Sequence, residues 1–209
     1  MKKLLLLLFV LLAGRVCAQN LGLKVVYQEE RKIASLRSLA IPQDVKARLI
    51  RKAKKQKDRF VLEIQDGKSY YHPITGNMFT QHFKIHNKKQ SFTVLDSDLN
   101  LEKPYAAKRD WADFNWDVDS QKVQVILGYK CYSAESEDGV LVWFAPKLKY
   151  PDGPVIYGGL AGMILKVENK YSIITAIEIT KDVQVDSRMP QDFELISLAQ
   201  LRQRRALKR

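Results

Sequence analysis

The sequence predicts a β-rich α+β fold: a single curved antiparallel sheet or half-barrel, with a basic helix at about 42–58 and a C-terminal helix from about 198. Three observations predict it. Eight or more short apolar runs carry a period-two pattern and are separated by turn residues. Helical signals occur only near residues 42–58 and at the C-terminus. No strand–helix–strand alternation accompanies the runs, which favours an antiparallel sheet over parallel βαβ units.

The chain opens with an export signal. Lys2 and Lys3 precede the apolar run Leu4 to Ala13, and Val16 and Ala18 occupy the small-residue positions of a cleavage site. The run is about ten residues, whereas a spanning helix needs about twenty. Residues 1–18 are therefore expected to be a cleaved signal peptide. Cys17 raises a competing reading, lipidation after cleavage just before it. Arg15 next to that bond fits poorly with the small apolar residues such processing prefers.

Cleavage after Ala18 leaves one domain of 191 residues and lowers the formal charge from +12 to +9, because Lys2, Lys3 and Arg15 are lost. Cys131 is then the only cysteine, so no intramolecular disulfide can form and the domain must rely on its core. With Tyr129 and Tyr132 beside it in a strand pattern, Cys131 reads as a buried small hydrophobe.

Along the mature chain, Leu23 to Glu29 is a first strand, followed by a polar stretch to about Ile41. Pro42 and Asp44 suit a first helical turn. Val45, Leu49 and Ala53 then give a narrow apolar stripe on a helix that carries eight basic residues between Lys46 and Arg59. Phe60, Leu62 and Ile64 alternate, Asp66-Gly67 is a tight-turn dipeptide, and Lys68 to His72 returns as a hairpin. Residues 73–90, with Pro73, Gly76 and Asn77, read as an irregular loop holding one short strand. Phe92 to Leu95 is a strand, and 104–119 reads as a solvated acidic loop interleaved with Trp111 and Trp116.

The clearest strands are Lys122 to Leu127, Lys130 to Ala134 and Val140 to Phe144. Pro146, Pro151, Gly153, Pro154, Gly158, Gly159 and Gly162 prevent any regular element across 146–162. Met163 to Val167, Tyr171 to Ile179 and Val183 to Val185 complete the strand series. Ser197 with Gln200 forms a capping box for the last helix, whose final turns carry Arg202, Arg204, Arg205, Lys208 and Arg209.

No catalytic constellation is recognisable. His72, His82 and His86 lack the spacing of a metal motif and read as surface or loop histidines. No Gly-x-Ser-x-Gly occurs. Asp110, Asp113, Asp117 and Asp119 lack the calcium-loop pattern. No Lys-Ser/Thr follows the glycines of 153–162, as a phosphate loop would require. No cofactor, no metal and no nucleic acid is expected. The basic helices suit an anionic membrane surface or an acidic partner.

Three blocks carry a resemblance. They are Ile126-Leu127-Gly128-Tyr129-Lys130-Cys131-Tyr132, then Val142-Trp143-Phe144-Ala145-Pro146 followed by Gly153-Pro154, then Gly159-Leu160-Ala161-Gly162-Met163-Ile164-Leu165. Their order and spacing resemble the GLPGLI family of exported Bacteroidota proteins. Ala161 stands where Pro is usual and Met163 where Leu is usual, so the backbone N–H returns at 161. The family carries no established reaction, so the resemblance implies a periplasmic or outer-membrane location and little about activity. The expectation is a non-enzymatic envelope protein that binds a partner, as an accessory of a transport or assembly complex. Its contact surface would use Gly153, Pro154, Gly159 to Ile164 and the arginines 202, 204 and 205. The alternative is a periplasmic carrier of a lipid or other apolar ligand.

Overall fold

The structure, a computed structural model, describes residues 21–55, 57–74, 81–95, 103–185 and 189–206, with side chains through 204. The expected signal segment with Cys17, Gly76 and Asn77 of the expected loop, and Lys208 and Arg209 lie outside the described residues. So does the side chain of Arg205.

Among the described residues, twelve strands form one open, curled sheet. They are β1 (Gly22–Arg31), β2 (Asp58–Gln65), β3 (Lys68–Pro73), β4 (His82–Ile85), β5 (Gln90–Leu95), β6 (Tyr105–Arg109), β7 (Trp116–Ile126), β8 (Tyr129–Ser136), β9 (Leu141–Ala145), β10 (Met163–Glu168), β11 (Ser172–Val183) and β12 (Glu194–Leu195). Among the described residues three α-helices accompany them: α1 (Ile33–Arg37) and α2 (Gln43–Lys55) between β1 and β2, and α3 (Leu198–Ala206) after β12. The order across the sheet is β12-β6-β5-β4-β3-β2-β1-β11-β10-β9-β8-β7, antiparallel except for the pairing of its end strand β12 with β6. No helix among the described residues is long and apolar enough to cross a membrane.

Hairpins account for the meander. Asp66 and Gly67 both adopt left-handed backbone (φ 51° and 69°), the turn whose twist matches paired strands. Leu127 and Gly128 repeat the device between β7 and β8. Register then sorts the side chains. Leu62 lies opposite Tyr71, Tyr71 opposite His82 and His82 opposite Thr93; Ile64, Ser69, Lys84 and Ser91 make the neighbouring row. These residues share one face, and Glu63, His72, Phe83 and Phe92 point to the other.

The main core joins β1–β3 to β8–β11 through residues such as Tyr27, Leu62, Phe144 and Leu165, with Leu148 and Leu160 of the 146–162 segment packed in. A second cluster on the opposite face gathers Tyr70, Phe83 and Phe92 under Met189 and Phe193. A third joins Leu95 and Ala107 to Leu201 of α3. The capping box is formed: the Gln200 amide N–H donates to Ser197 Oγ at 3.1 Å, and Gln200 Oε1 accepts from the Ser197 amide at 2.9 Å.

Several boundaries differ from expectation. The basic helix ends at Lys55 rather than near 58, because Asp58 and Arg59 pair with Glu29 and Gln28 of β1. The polar stretch before it contains α1, whose Leu36 is buried. The expected acidic loop at 104–119 holds β6, and β7 begins at Trp116, six residues early. Tyr171–Ile179 and Val183–Val185 are a single strand to Val183, and β12 carries no signal of its own. Glu194 and Leu195 become a strand only by lying parallel to Tyr105 and Ala106.

Gly162 sets the corner between β9 and β10. A Cβ there would stand 2.4 Å from the Ala145 carbonyl oxygen and 2.8 Å from Pro146 Cα, both backbone atoms. Overpacking of this kind costs about 1–3 kcal/mol. Gly162→Ala is therefore expected to lower the urea midpoint with an unchanged denaturant slope. An unaltered midpoint would show that the corner yields freely.

Candidate functional site

Segment 146–162 contains no named strand, yet it is firmly placed. Asp152 and Gly158 form an isolated antiparallel bridge. The Ile164 amide donates to the Asp152 carbonyl at 2.9 Å, and the Gly159 amide donates to the Pro151 carbonyl at 3.1 Å. Trp116 Nε1 reaches from β7 to the Gly158 carbonyl at 2.9 Å. Tyr27 Oη, from β1, donates to the Ile164 carbonyl at 2.7 Å.

Beneath the segment lies a buried polar cluster. The Asp152 side chain is 1 % exposed and forms an ion pair with Lys84 of β4, itself 4 % exposed. Lys84 Nζ donates to Asp152 Oδ1, to the Gly153 carbonyl at 3.3 Å and to the Tyr157 carbonyl at 3.2 Å. An ammonium has three protons, and all three are used. Asp152 Oδ1 also accepts the Gly153 amide at 2.7 Å. Its Oδ2 accepts from His86 Nε2 at 2.9 Å.

Ser69 Oγ sits 3.2 Å from the same His86 nitrogen, and the Trp111 ring stands edge-on to the imidazole at 5.6 Å. Burial alone would raise the Asp152 carboxyl. Lys84 and His86 outweigh it and hold the group down at about 2.

A second buried pair occupies the other face. Glu63 and His72 stand 3.3 Å apart, with Tyr70 stacked on His72 at a 4.6 Å centroid distance. The expectation of surface histidines is thus corrected. His72 and His82 are buried on strands, where period-two pairing turns them into the packed layers, and His86 is half-buried against Asp152. Cys131 is buried as expected, and burial pushes its thiol up to about 11. Among the described residues, no group of three or more His, Cys, Asp or Glu is arranged to hold a metal.

Two clefts flank the segment. One, of about 550 Å³, is bounded by Ile64, Asp66, His86, Tyr150, Asp152 and Asp182. The other, of about 910 Å³, runs between the segment and the sheet's end, lined by Phe114, Trp116, Asp117, Glu135, Glu137, Gly159 and Ala161.

The motif residues divide between inside and outside. Gly153, Pro154, Leu160, Gly162, Met163 and Ile164 are buried, while Gly159 and Ala161 are exposed on the rim of the larger cleft. Trp143 and Cys131 are buried, Tyr129 half-buried, and Gly128 and Pro146 exposed. The apolar members of the motif thus pack into the core, and Gly159 and Ala161 are the members of its last block left at the surface. Arg202 and Arg204 are exposed on α3. Arg204 lies 4.0 Å above the Tyr105 ring, which ties it to β6. Motif and tail flank opposite ends of the strand order, next to β7 and β6 respectively.

Fold and site together define an open, curled β-sheet domain whose long connection is clamped by an internal carboxylate. PNGF-II contains a similar fold. Two crystal forms of that protein match with TM-scores of 0.62 and 0.63, at 15 % and 16 % identity, over 88 % of this chain and 32 % and 33 % of theirs. This chain spans about a third of the length of PNGF-II. An uncharacterized conserved protein from Thermus thermophilus matches with a TM-score of 0.43, at 6 % identity, over 85 % of this chain and 91 % of that one. At these identities the likeness to PNGF-II is one of fold. No protein-family model matches the chain, and no curated protein does.

Asp152→Asn removes the charge that Lys84 needs and is expected to cost about 3–5 kcal/mol, as for one broken partner of a buried pair. The pH dependence carries a sign. Asp152 is held below its unfolded value, ordinarily about 3.9. Its contribution is therefore complete above about pH 4 and is lost as pH falls toward about 2. Between about pH 5 and pH 1, urea titrations should show the wild type losing about 2–3 kcal/mol more than Asp152→Asn. Parallel losses would contradict the clamp.

Proposed function

We propose that this chain is an exported envelope protein that acts by binding a protein partner at the outer membrane, without a reaction of its own. The observation that carries the reading is the internal saturation of the Asp152 cluster. Lys84 has no proton left to offer, and both Asp152 oxygens are engaged. The groups best suited to chemistry are spent on fixing the turn segment, which then presents Gly159 and Ala161 as a rigid rim. The export signal supports the compartment, and the motif blocks that resemble the GLPGLI family support the envelope location.

An anionic membrane surface is a second contact that the charges favour, through Arg202 and the basic face of α2. Each exposed cation near such a surface contributes about 1 kcal/mol. Removing α3 would be a poor test of this contact, because Leu201 is buried against Leu95 and Ala107. Arg202→Glu leaves that packing alone.

The apolar-carrier alternative finds less support. The inward residues of β1–β3 and β8–β11 pack on one another under Leu148 and Leu160, and both large clefts are lined partly by acids.

Native mass spectrometry of the mature protein, mildly extracted from its host envelope, is expected to show a heteromeric complex. A lone chain carrying a lipid-sized adduct would overturn the partner reading and favour the carrier.

A further inference from the structure

We infer that the free edge of β7 is the docking strand for an extended, cationic segment of the protein partner, which adds to the sheet as a further strand. This rests on the partner-binding reading and names the partner's chemistry.

The two edges of the sheet are built differently. β12, at one end, is two residues long, and α3 follows it directly. β7, at the other, is eleven residues long and almost wholly exposed. Long exposed edges present unpaired N–H and C=O groups and are usually shortened, covered or charged. The one interruption in β7 is a bulge between Asp119 and Val123. Asp119 Oδ1 closes it by accepting the amides of Gln121 and Lys122 at 2.8 and 3.2 Å. The bulge divides the edge into two short arms.

Each arm offers a distinct contact. Val118, Val123 and Val125 are 48 %, 43 % and 67 % exposed, an uncommon outlay of β-branched apolar surface on an open edge. On the first arm Asp117 stands directly across from Glu135, and Glu137 lines the same cleft. Like charges placed opposite one another destabilise a strand pair.

No described residue forms an ion pair with Asp117, Glu135 or Glu137, although the whole chain carries a net charge of +12. The local lysines are engaged elsewhere: Lys122 lies over the Trp143 ring at 5.7 Å and Lys130 over Tyr132 at 5.1 Å.

An incoming strand meets all three features at once. Its backbone pairs with the free edge, alternate Lys or Arg side chains reach Asp117 and Glu135, and small apolar side chains on its other face meet Val118. The same carboxylates repel an anionic lipid headgroup, so a membrane surface is not the occupant of this edge.

The test uses the mature protein and a peptide of about ten residues alternating Lys and Val, with the Glu/Val peptide as control. NMR with amide exchange should show the Lys/Val peptide protecting amides of 116–126 while the Glu/Val peptide does not. Asp117→Lys with Glu135→Lys should weaken Lys/Val binding by about tenfold or more. Val118→Pro, which removes an edge N–H at an exposed position, should weaken it too, with circular dichroism confirming the fold. Equal binding of both peptides, protection centred elsewhere, or edge pairing between two copies of this chain would overturn the inference. The charge-reversed protein is then extracted from the envelope. An intact heteromeric complex would overturn the β7 assignment and leave the partner reading standing. Peptide binding at β7 without any complex, even for the wild type, would sink the partner reading and keep the edge.

Discussion

A carboxylate buried beneath a strandless connection is the constraint on which this structure depends. Burying an unpaired charge would cost several kcal/mol, so Asp152 can lie beneath segment 146–162 only because Lys84 and His86 meet it there. That requirement fixes more than a side chain. Lys84 also takes a place between the Gly153 and Tyr157 carbonyls, which gives the segment its path across β4. The bridge of Asp152 to Gly158 and the Ile164-to-Asp152 bond then set where β10 starts. Packing follows, since this route places Leu148 and Leu160 in the main core.

The same arrangement separates a rigid rim from a buried motif. Gly162 and Gly153 are small because backbone or Ile164 approaches them closely: a Cβ at 153 would stand 2.8 Å from Ile164 Cβ. Met163 and Ile164 feed the core, and of the last block only Gly159 and Ala161 face solvent at the larger cleft. The motif is therefore chiefly a folding device, and the surface it leaves adjoins the one long edge that the sheet does not cover.

Much of the fold is legible in the sequence, and the exceptions have physical reasons. Asp66-Gly67 announces the β2–β3 hairpin because few other dipeptides tolerate two left-handed residues. The alternation from Phe60 to Ile64 and the Ser197/Gln200 box are equally direct. β4 is harder to see, because a buried lysine in His82–Ile85 imitates a solvent-facing residue. β6 hides behind Lys108 and Arg109, and β12 exists only through its neighbour. The clamp itself is beyond local reading. Lys84 and Asp152 are 68 residues apart, and neither sits in a motif. The nearest signal is an acid placed between Pro151 and Gly153-Pro154, where a solvated turn is the ordinary interpretation.

Native-state hydrogen exchange on wild type and Asp152→Asn tests the central claim most directly. If Asp152 pins the segment, the Gly159 and Ile164 amides should accelerate in the variant well beyond those of β8, which pairs with β7 and β9 independently of the clamp. Uniform acceleration across the sheet, or none at Gly159 and Ile164, would contradict it and place the anchor of the segment in its apolar contacts.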